Sequence, residues 1–355
     1  MKQVTKMNFK GQSIYVGIDV HKKSWTATFL VDEIDLYTKS FPPSGKLLSN
    51  FLKKNFPGGN YLSAYEAGYC GYWVHEELER EGVKNIIVNP ADVPTTDKEK
   101  VKKEDPVDSR KLAKSLRNGD LECIFIPDKT QQEDKLLLRT RVCMVKKQTR
   151  CKNQIKSTLG FFGIHLSDEK IKSHWSKAYI NWLREISIPD TSQGMRLGIF
   201  LDELEHLRKA ITQLTKQIRL LSTLPRYNKR VMLLRTIPGI SVLCAMTILT
   251  EFGDFSIYSR LEKLCAYVGL VSDKHKSSDK EKKMGMTKRG NRHLRRVLIE
   301  SSWIAIRKDP ALLLAYKKYT RSYNGSKAII KISRKLLNRI RYVLLNEKEY
   351  QMQTI

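Results

Sequence analysis

The chain of 355 residues has no run of eighteen apolar residues, so no membrane span is expected. Its six cysteines (Cys70, Cys123, Cys143, Cys151, Cys244 and Cys265) include no CxxC pair, which argues against a zinc ribbon and a disulfide framework. The opening residues, MKQVTKMNFKGQS, carry no apolar stretch ending in a cleavage site, and a reduced, cytoplasmic chain is expected. Internal repeats and low-complexity segments are missing. No two histidines stand at metal-ligand spacing; His21, His275 and His293 read as phosphate-contacting or structural. Acidic charge is scarce: 37 Asp+Glu face 65 Lys+Arg, a formal net charge of +28. Hydrophobic residues at 41% nevertheless make this a folding chain and not a disordered basic tail.

The excess charge is one-sided. Residues 1–128 hold 19 Lys+Arg and 18 Asp+Glu, while residues 129–355 hold 46 and 19. So basic a C-terminal part attracts polyanions, of which nucleic acid is the commonest in a cytoplasm.

Three parts are expected. In residues 1–128, apolar β-rich runs at 13–20, 25–31 and 35–41 precede alternating helices and strands, which predicts an α/β domain with a mixed sheet. Residues 129–228 read as helical. Apolar residues at 197, 200, 204, 207, 211, 214, 218 and 221 alternate spacings of three and four, a heptad seam. That seam fits a helical hairpin with 131–163 or, preferred here, a coiled-coil arm joining protomers. Residues 229–355 read as mainly helical around a basic loop at 272–292. The turn Ile237-Pro238-Gly239-Ile240 between two helices is like a helix-hairpin-helix, whose turn amides can hold a phosphate. An ordinary helical hairpin is the plainer alternative.

Four carboxylates stand out. Asp19 ends the first apolar strand, where an unpaired carboxylate is costly. Glu66 ends a later strand. Asp105 and Asp108 open a helix, three residues apart and on one face. On a mixed sheet such residues can converge to hold Mg²⁺ through oxygen ligands. The pair at the helix start could equally serve the helix dipole. Lys102, Lys103, Arg110 and Lys111 beside it fit a phosphate backbone or a solvated helix face.

These residues carry a resemblance. V-G-I-D-V-H-K (16–22), Y-E-A-G (65–68) and K-E-D-P-V-D-S-R-K-L-A (103–113) resemble the DEDD motif set of one transposase family, the insertion-sequence family numbered one hundred and ten. I-P-G-I (237–240), A-Y-V-G-L (266–270), T-K-R-G-N-R-H-L-R-R (287–296) and K-D-P-A-L-L (308–313) resemble its second domain, in the same order. The family's third motif is near K-T-D-x-x-D-A-x-x-L-A; here Glu104 and Ser109 replace the threonine and the alanine.

The resemblance implies a RuvC-like, RNase H-like N-terminal domain binding Mg²⁺ through Asp19, Glu66, Asp105 and Asp108. It implies a C-terminal transposase domain with a serine nucleophile, a phosphoserine link to DNA and an active site shared between protomers of a dimer or tetramer. It further implies a structured guide RNA that selects element-end and target DNA. The family serine lies in G-L-x-P-x-x-x-x-S-G, which sets Ser277 on the nucleophile; Ser272 replaces the proline and Ser278 the glycine, and Ser278 is the fallback.

Lys288, Arg289, Asn291, Arg292, Arg295 and Arg296 are expected to grip phosphates beside the serine, as are Arg139, Lys146, Lys147 and Arg150 on the long helix. Lys327, Lys331, Arg334, Lys335, Arg339 and Arg341 form a further basic helix. Two rival readings remain: a junction-resolving nuclease using water, and a decayed nucleic-acid binder without catalysis.

Overall fold

The structure, a computed structural model, describes residues 8–31, 34–94, 104–164, 175–186, 191–258, 260–277, 280–287 and 289–352. The chain divides into two compact units, Met1–Ile126 and Pro127–Ile355.

The first unit is built on a five-stranded sheet of order β3-β2-β1-β4-β5. Its strands are β1 (Ser13–Val20), β2 (Trp25–Val31), β3 (Ile34–Phe41), β4 (Asn60–Glu66) and β5 (Lys84–Val88). β1, β2 and β3 form an antiparallel meander, whereas β4 and β5 run parallel to β1. Ile14, Val16 and Ile18 of β1 are fully buried on one face. They pack with Leu48 and Leu52 of α1 (Gly45–Asn55) and Val74 and Leu78 of α2 (Trp73–Arg80). The strand period of two sends Gly17 and Asp19 to the opposite face. There lies α3 (Asp105–Asn118), with Leu112 and Ala113 buried.

Among the described residues, the regular structure of the second unit is helical except for one strand pair. α4 (Lys129–Phe161) and α6 (Ser192–Ser222) pack antiparallel, joined by hydrogen bonds from Arg141 to Thr215 and from Arg196 to Thr158. The first half of the heptad seam is covered from within the chain. Leu197, Leu204 and Leu207 pack with Cys151, Ile155 and Leu159 of α4, and with Tyr179, Ile180 and Leu183 of α5 (Lys177–Glu185).

α7 (Pro225–Arg235), α8 (Val242–Phe252) and α9 (Leu261–Val268) follow. Then come α10 (Arg292–Lys308), α11 (Pro310–Thr320) and α12 (Gly325–Asn346). Leu138 of α4 and Ile218 of α6 share one core with these helices. Packing is therefore continuous across residue 228, where the sequence suggested a domain boundary.

One expectation is corrected. The segment read as a basic loop at 272–292 is in part a β-hairpin, with β6 (Ser272–Ser277) antiparallel to β7 (Lys280–Met286). SDKHKS and KEKKMGM lack apolar alternation and are rich in Lys, which is depleted in strands. A strand pair therefore leaves no hydropathy signal here.

Candidate active site

The carboxylate site is positioned by a close approach of α3 to β1. A Cβ on Gly17 would lie 2.0 Å from the Ser109 carbonyl oxygen and 2.4 Å from the Ala113 nitrogen. Only glycine lets the helix backbone settle onto the strand. Side chains then fasten it. The Thr28 hydroxyl of β2 lies 2.8 Å from both the Ser109 and the Thr38 hydroxyls. Ser109, the residue that stands in the alanine place of the family pattern, thus has a buried partner.

β1 and β4 pair in parallel up to Ile18 and Tyr65, so Asp19 and Glu66 emerge at the same level from neighbouring strands. The carboxylates fall into two pairs. In the first, His21 Nε2 lies 3.2 Å from Asp19 Oδ2 and 3.5 Å from Asp105 Oδ1. Asp19, His21 and Asp105 form a group able to hold a metal ion. In the second, Lys111 Nζ lies 3.5 Å from Asp108 Oδ1 and 3.9 Å from Glu66 Oε1. Burial pushes the Asp19 carboxyl above the usual carboxylate range; the His21 partner opposes this, while the charges of Asp105 and Asp108 add to it.

His21, which the sequence reading set apart from any metal site, stands beside two of the four carboxylates. The signal was available, because residues 19 and 21 alternate onto one face at a strand end.

The described part of the second unit places its expected nucleic-acid residues in two groups. Lys146, Lys147, Arg150, Arg289, Arg292 and Arg296 are exposed, and Arg296 pairs with Glu300 one turn along α10. Arg139, Asn291 and Arg295 have partners within the protein. Arg139 grips Glu251 through two hydrogen bonds, of 2.8 and 2.9 Å. Asn291 caps α10 by accepting from the His293 and Leu294 amides, and donates to Glu251 at 2.7 Å. Arg295 donates to the Val268 and Arg289 carbonyls.

Glu251, whose side chain is only 2% exposed, was missed by sequence reasoning. Burial alone would raise its carboxyl, yet hydrogen bonds from Arg139 and Asn291, with the Lys135 and Arg139 charges, hold it below the usual range. The same cluster leaves a mark on His293, whose ring burial holds below its ordinary value. Lys288 and Ser278 lie outside the described residues.

The hairpin stands on a backbone joint. Gly269 and Gly290 both have positive φ, and a Cβ on Gly290 would lie 2.6 Å from the Gly269 nitrogen. The Thr287 amide donates to the Val271 carbonyl, and the Asn291 amide to the Tyr267 carbonyl. Ser277 is the last residue of β6, paired by register with Lys280. The Ile237–Ile240 turn is present, but its Gly239 packs against α10, where a Cβ would meet the Ser301 carbonyl at 2.4 Å. A close backbone neighbour therefore occupies that side of the turn.

Both units match known families. Residues 16–163 match a family of DEDD transposases, described as "Transposase", and residues 231–317 match the "Transposase IS116/IS110/IS902 family". The transposase y4qE of Sinorhizobium fredii is 27% identical over 239 residues, 67% of this chain and 57% of that protein. The transposase for insertion sequence element IS1111A of Coxiella burnetii is 25% identical over 242 residues, 68% of this chain and 64% of that protein. The pilin gene-inverting protein of Moraxella bovis is 32% identical over 152 residues, 41% of this chain and 46% of that protein. The chain thus spans less than two thirds of the length of each of these three relatives.

An α/β unit bearing acidic strand ends, followed by a helical basic unit, is in this chain the layout of a transposase. The chain belongs to the IS110 family of DEDD transposases.

Proposed function

We propose that this protein is a recombinase that cuts and rejoins element-end and target DNA through a phosphoserine link, using Mg²⁺ and an element-encoded guide RNA. The observation that carries the reading is the meeting of Asp19 and Asp105, distant in sequence, on one imidazole at the end of β1. The meander followed by two parallel strands supports an RNase H-like, RuvC-like first domain.

The donors, carboxylate oxygens with one ring nitrogen, fit a hard divalent cation. Asp19, Glu66, Asp105 and Asp108 would hold one or two such ions, with His21 as a further ligand, and these would polarise a phosphoryl oxygen. Gly17 and Ser109 keep α3 seated, so that Asp105 and Asp108 stay at the strand ends.

Ser277 is the nucleophile in this reading. Its Oγ–P bond forms as one P–O bond of the DNA breaks, and its proton passes to the departing DNA hydroxyl. Attack by a second strand's hydroxyl reverses the exchange, returning the proton to Ser277 with no net hydrolysis. Exposed Lys146, Lys147, Arg150, Arg289 and Arg292 would bind the nucleic-acid backbone. A homo-oligomer, dimer or tetramer, completes the reading.

The test is a trapping assay with Mg²⁺, co-purified RNA and labelled element-end DNA on a denaturing gel. A protein-linked DNA band that disappears in Ser277→Ala and in Asp19→Ala is expected. A band lost only in Ser278→Ala would move the nucleophile by one residue. Cleaved DNA without any linked band, indifferent to both serine changes, would make the protein a hydrolytic nuclease.

A further inference from the structure

Lys111 occupies an unusual place for a surface lysine. It is on α3, one turn after Asp108, and an ordinary helix pair between these two would end there. Its ammonium instead has a second acceptor from a different element, Glu66 at the end of β4. The side chain is only 11% exposed, against 34% for Glu66 and 30% for Asp108. The remaining two carboxylates, Asp19 and Asp105, have His21 and not Lys111 as their neighbour. One cation therefore already sits between one half of the carboxylate set.

That position matters for metal uptake. A divalent cation bound by a carboxylate lies about 2.0–2.6 Å from its oxygen, depending on the ion. Asp108 and Glu66 could not both close on such an ion while an ammonium stays between them, because the two cations would be crowded together at short range. Among the described residues, the partner of the Asp19–Asp105 half is an imidazole, which offers a lone pair when neutral.

We propose that Lys111 is a tethered cation that holds the Glu66–Asp108 half of the site. The free protein then takes one divalent cation, in the Asp19–Asp105 half, and a second only when the ammonium is removed. This rests on the metal reading given under Proposed function.

The test uses full-length protein and Mn²⁺ as the probe, with bound ions counted by calorimetry and by loss of the free-ion paramagnetic signal. Four proteins are compared: wild type, Lys111→Met, Lys111→Arg and Asp19→Asn. Wild type and Lys111→Arg are expected to bind one Mn²⁺ per chain over the range where Lys111→Met binds two. The thermal unfolding temperature of Lys111→Met should rise more with added Mn²⁺ than that of wild type, which also shows that the variant is folded.

Equal stoichiometry and equal affinity in wild type and Lys111→Met would overturn the assignment, as would weaker binding by Lys111→Met. A Lys111→Met protein with no cooperative unfolding transition would make Lys111 a structural residue and overturn it as well. The two readings fail separately. Undiminished binding in Asp19→Asn removes the metal site itself, whereas loss of binding in Asp19→Asn with an unaltered Lys111→Met removes only the role of Lys111.

Discussion

Gly17 of β1 and Ala113 of α3 face each other with no room for a side chain between them: a Cβ on the glycine would lie 2.4 Å from the alanine nitrogen. The seat of α3, and with it the position of Asp105 and Asp108, depends on this missing methyl group. Gly17→Ala should cost about 3 kcal/mol, at the upper end for overpacking, since backbone atoms cannot rotate away. Thermal denaturation with Mn²⁺ titration checks this. A variant that keeps both its melting temperature and its Mn²⁺ affinity would refute the argument.

Thr28 and Ser109 offer a finer test of the same contact. Thr28→Val removes the partner of two hydroxyls at once and should cost about 1–3 kcal/mol. Ser109→Ala leaves Thr28 its bond to Thr38, so about 1 kcal/mol or less is expected. In a double-mutant cycle the two costs should fall well short of adding. Strict additivity would mean that the bond contributes nothing.

His21 should matter to the metal and not to the serine. His21→Ala is expected to lower Mn²⁺ affinity by about tenfold, the scale of losing one supporting ligand contact. Ser277→Ala should leave that affinity unchanged. The same isothermal titration reads both, and an unaffected His21→Ala would take the imidazole out of the site.

Glu251 makes the second unit pH-sensitive. Its carboxyl is held below its ordinary value of 4.5, so its stabilising contribution is complete above that pH. It drains away as pH falls through the lowered value in the folded state. Glu251→Ala removes the acceptor shared by Arg139 and Asn291 and should cost about 1–3 kcal/mol near neutral pH. Melting curves of wild type and Glu251→Ala should converge in acid. A constant gap across pH would contradict the sign.

Gly269→Ala should loosen the base of the hairpin. Its φ is +79°, and the added Cβ would meet the Arg289 carbonyl at 2.4 Å. Strain at such a position is of order 1–3 kcal/mol. The loss should appear in the melting temperature and as a weaker DNA-linked band in the trapping assay. Unaltered trapping and melting would separate the joint from the chemistry.

Much of the first unit could be read directly. β1 carries its strand signal in SIYVGIDV, and the break after Val20 leaves Asp19 at the edge. The heptad seam of α6 was equally legible, but period alone cannot say whether the partner helix is in the same chain. Here α4 and α5 cover its first half, Leu197 to Leu207. Long-range polar pairings were hidden altogether. Nothing in T-E-F-G-D-F tells that Glu251 meets Arg139, because that contact exists only once α4 and α8 are packed. The hairpin escaped for a different reason: SDKHKS and KEKKMGM carry no apolar alternation, so hydropathy leaves nothing to read there.

The Gly269–Gly290 joint has a further consequence. It is made of main chain on main chain, tied further by Arg295 of α10, so it does not depend on which residues stand above it in β6 and β7. The strand pair can then behave as an exchangeable cassette. Replacing residues 272–286 with the equivalent piece of a relative should leave the underlying helices intact, so that the melting temperature of the exchanged protein stays close to that of the parent.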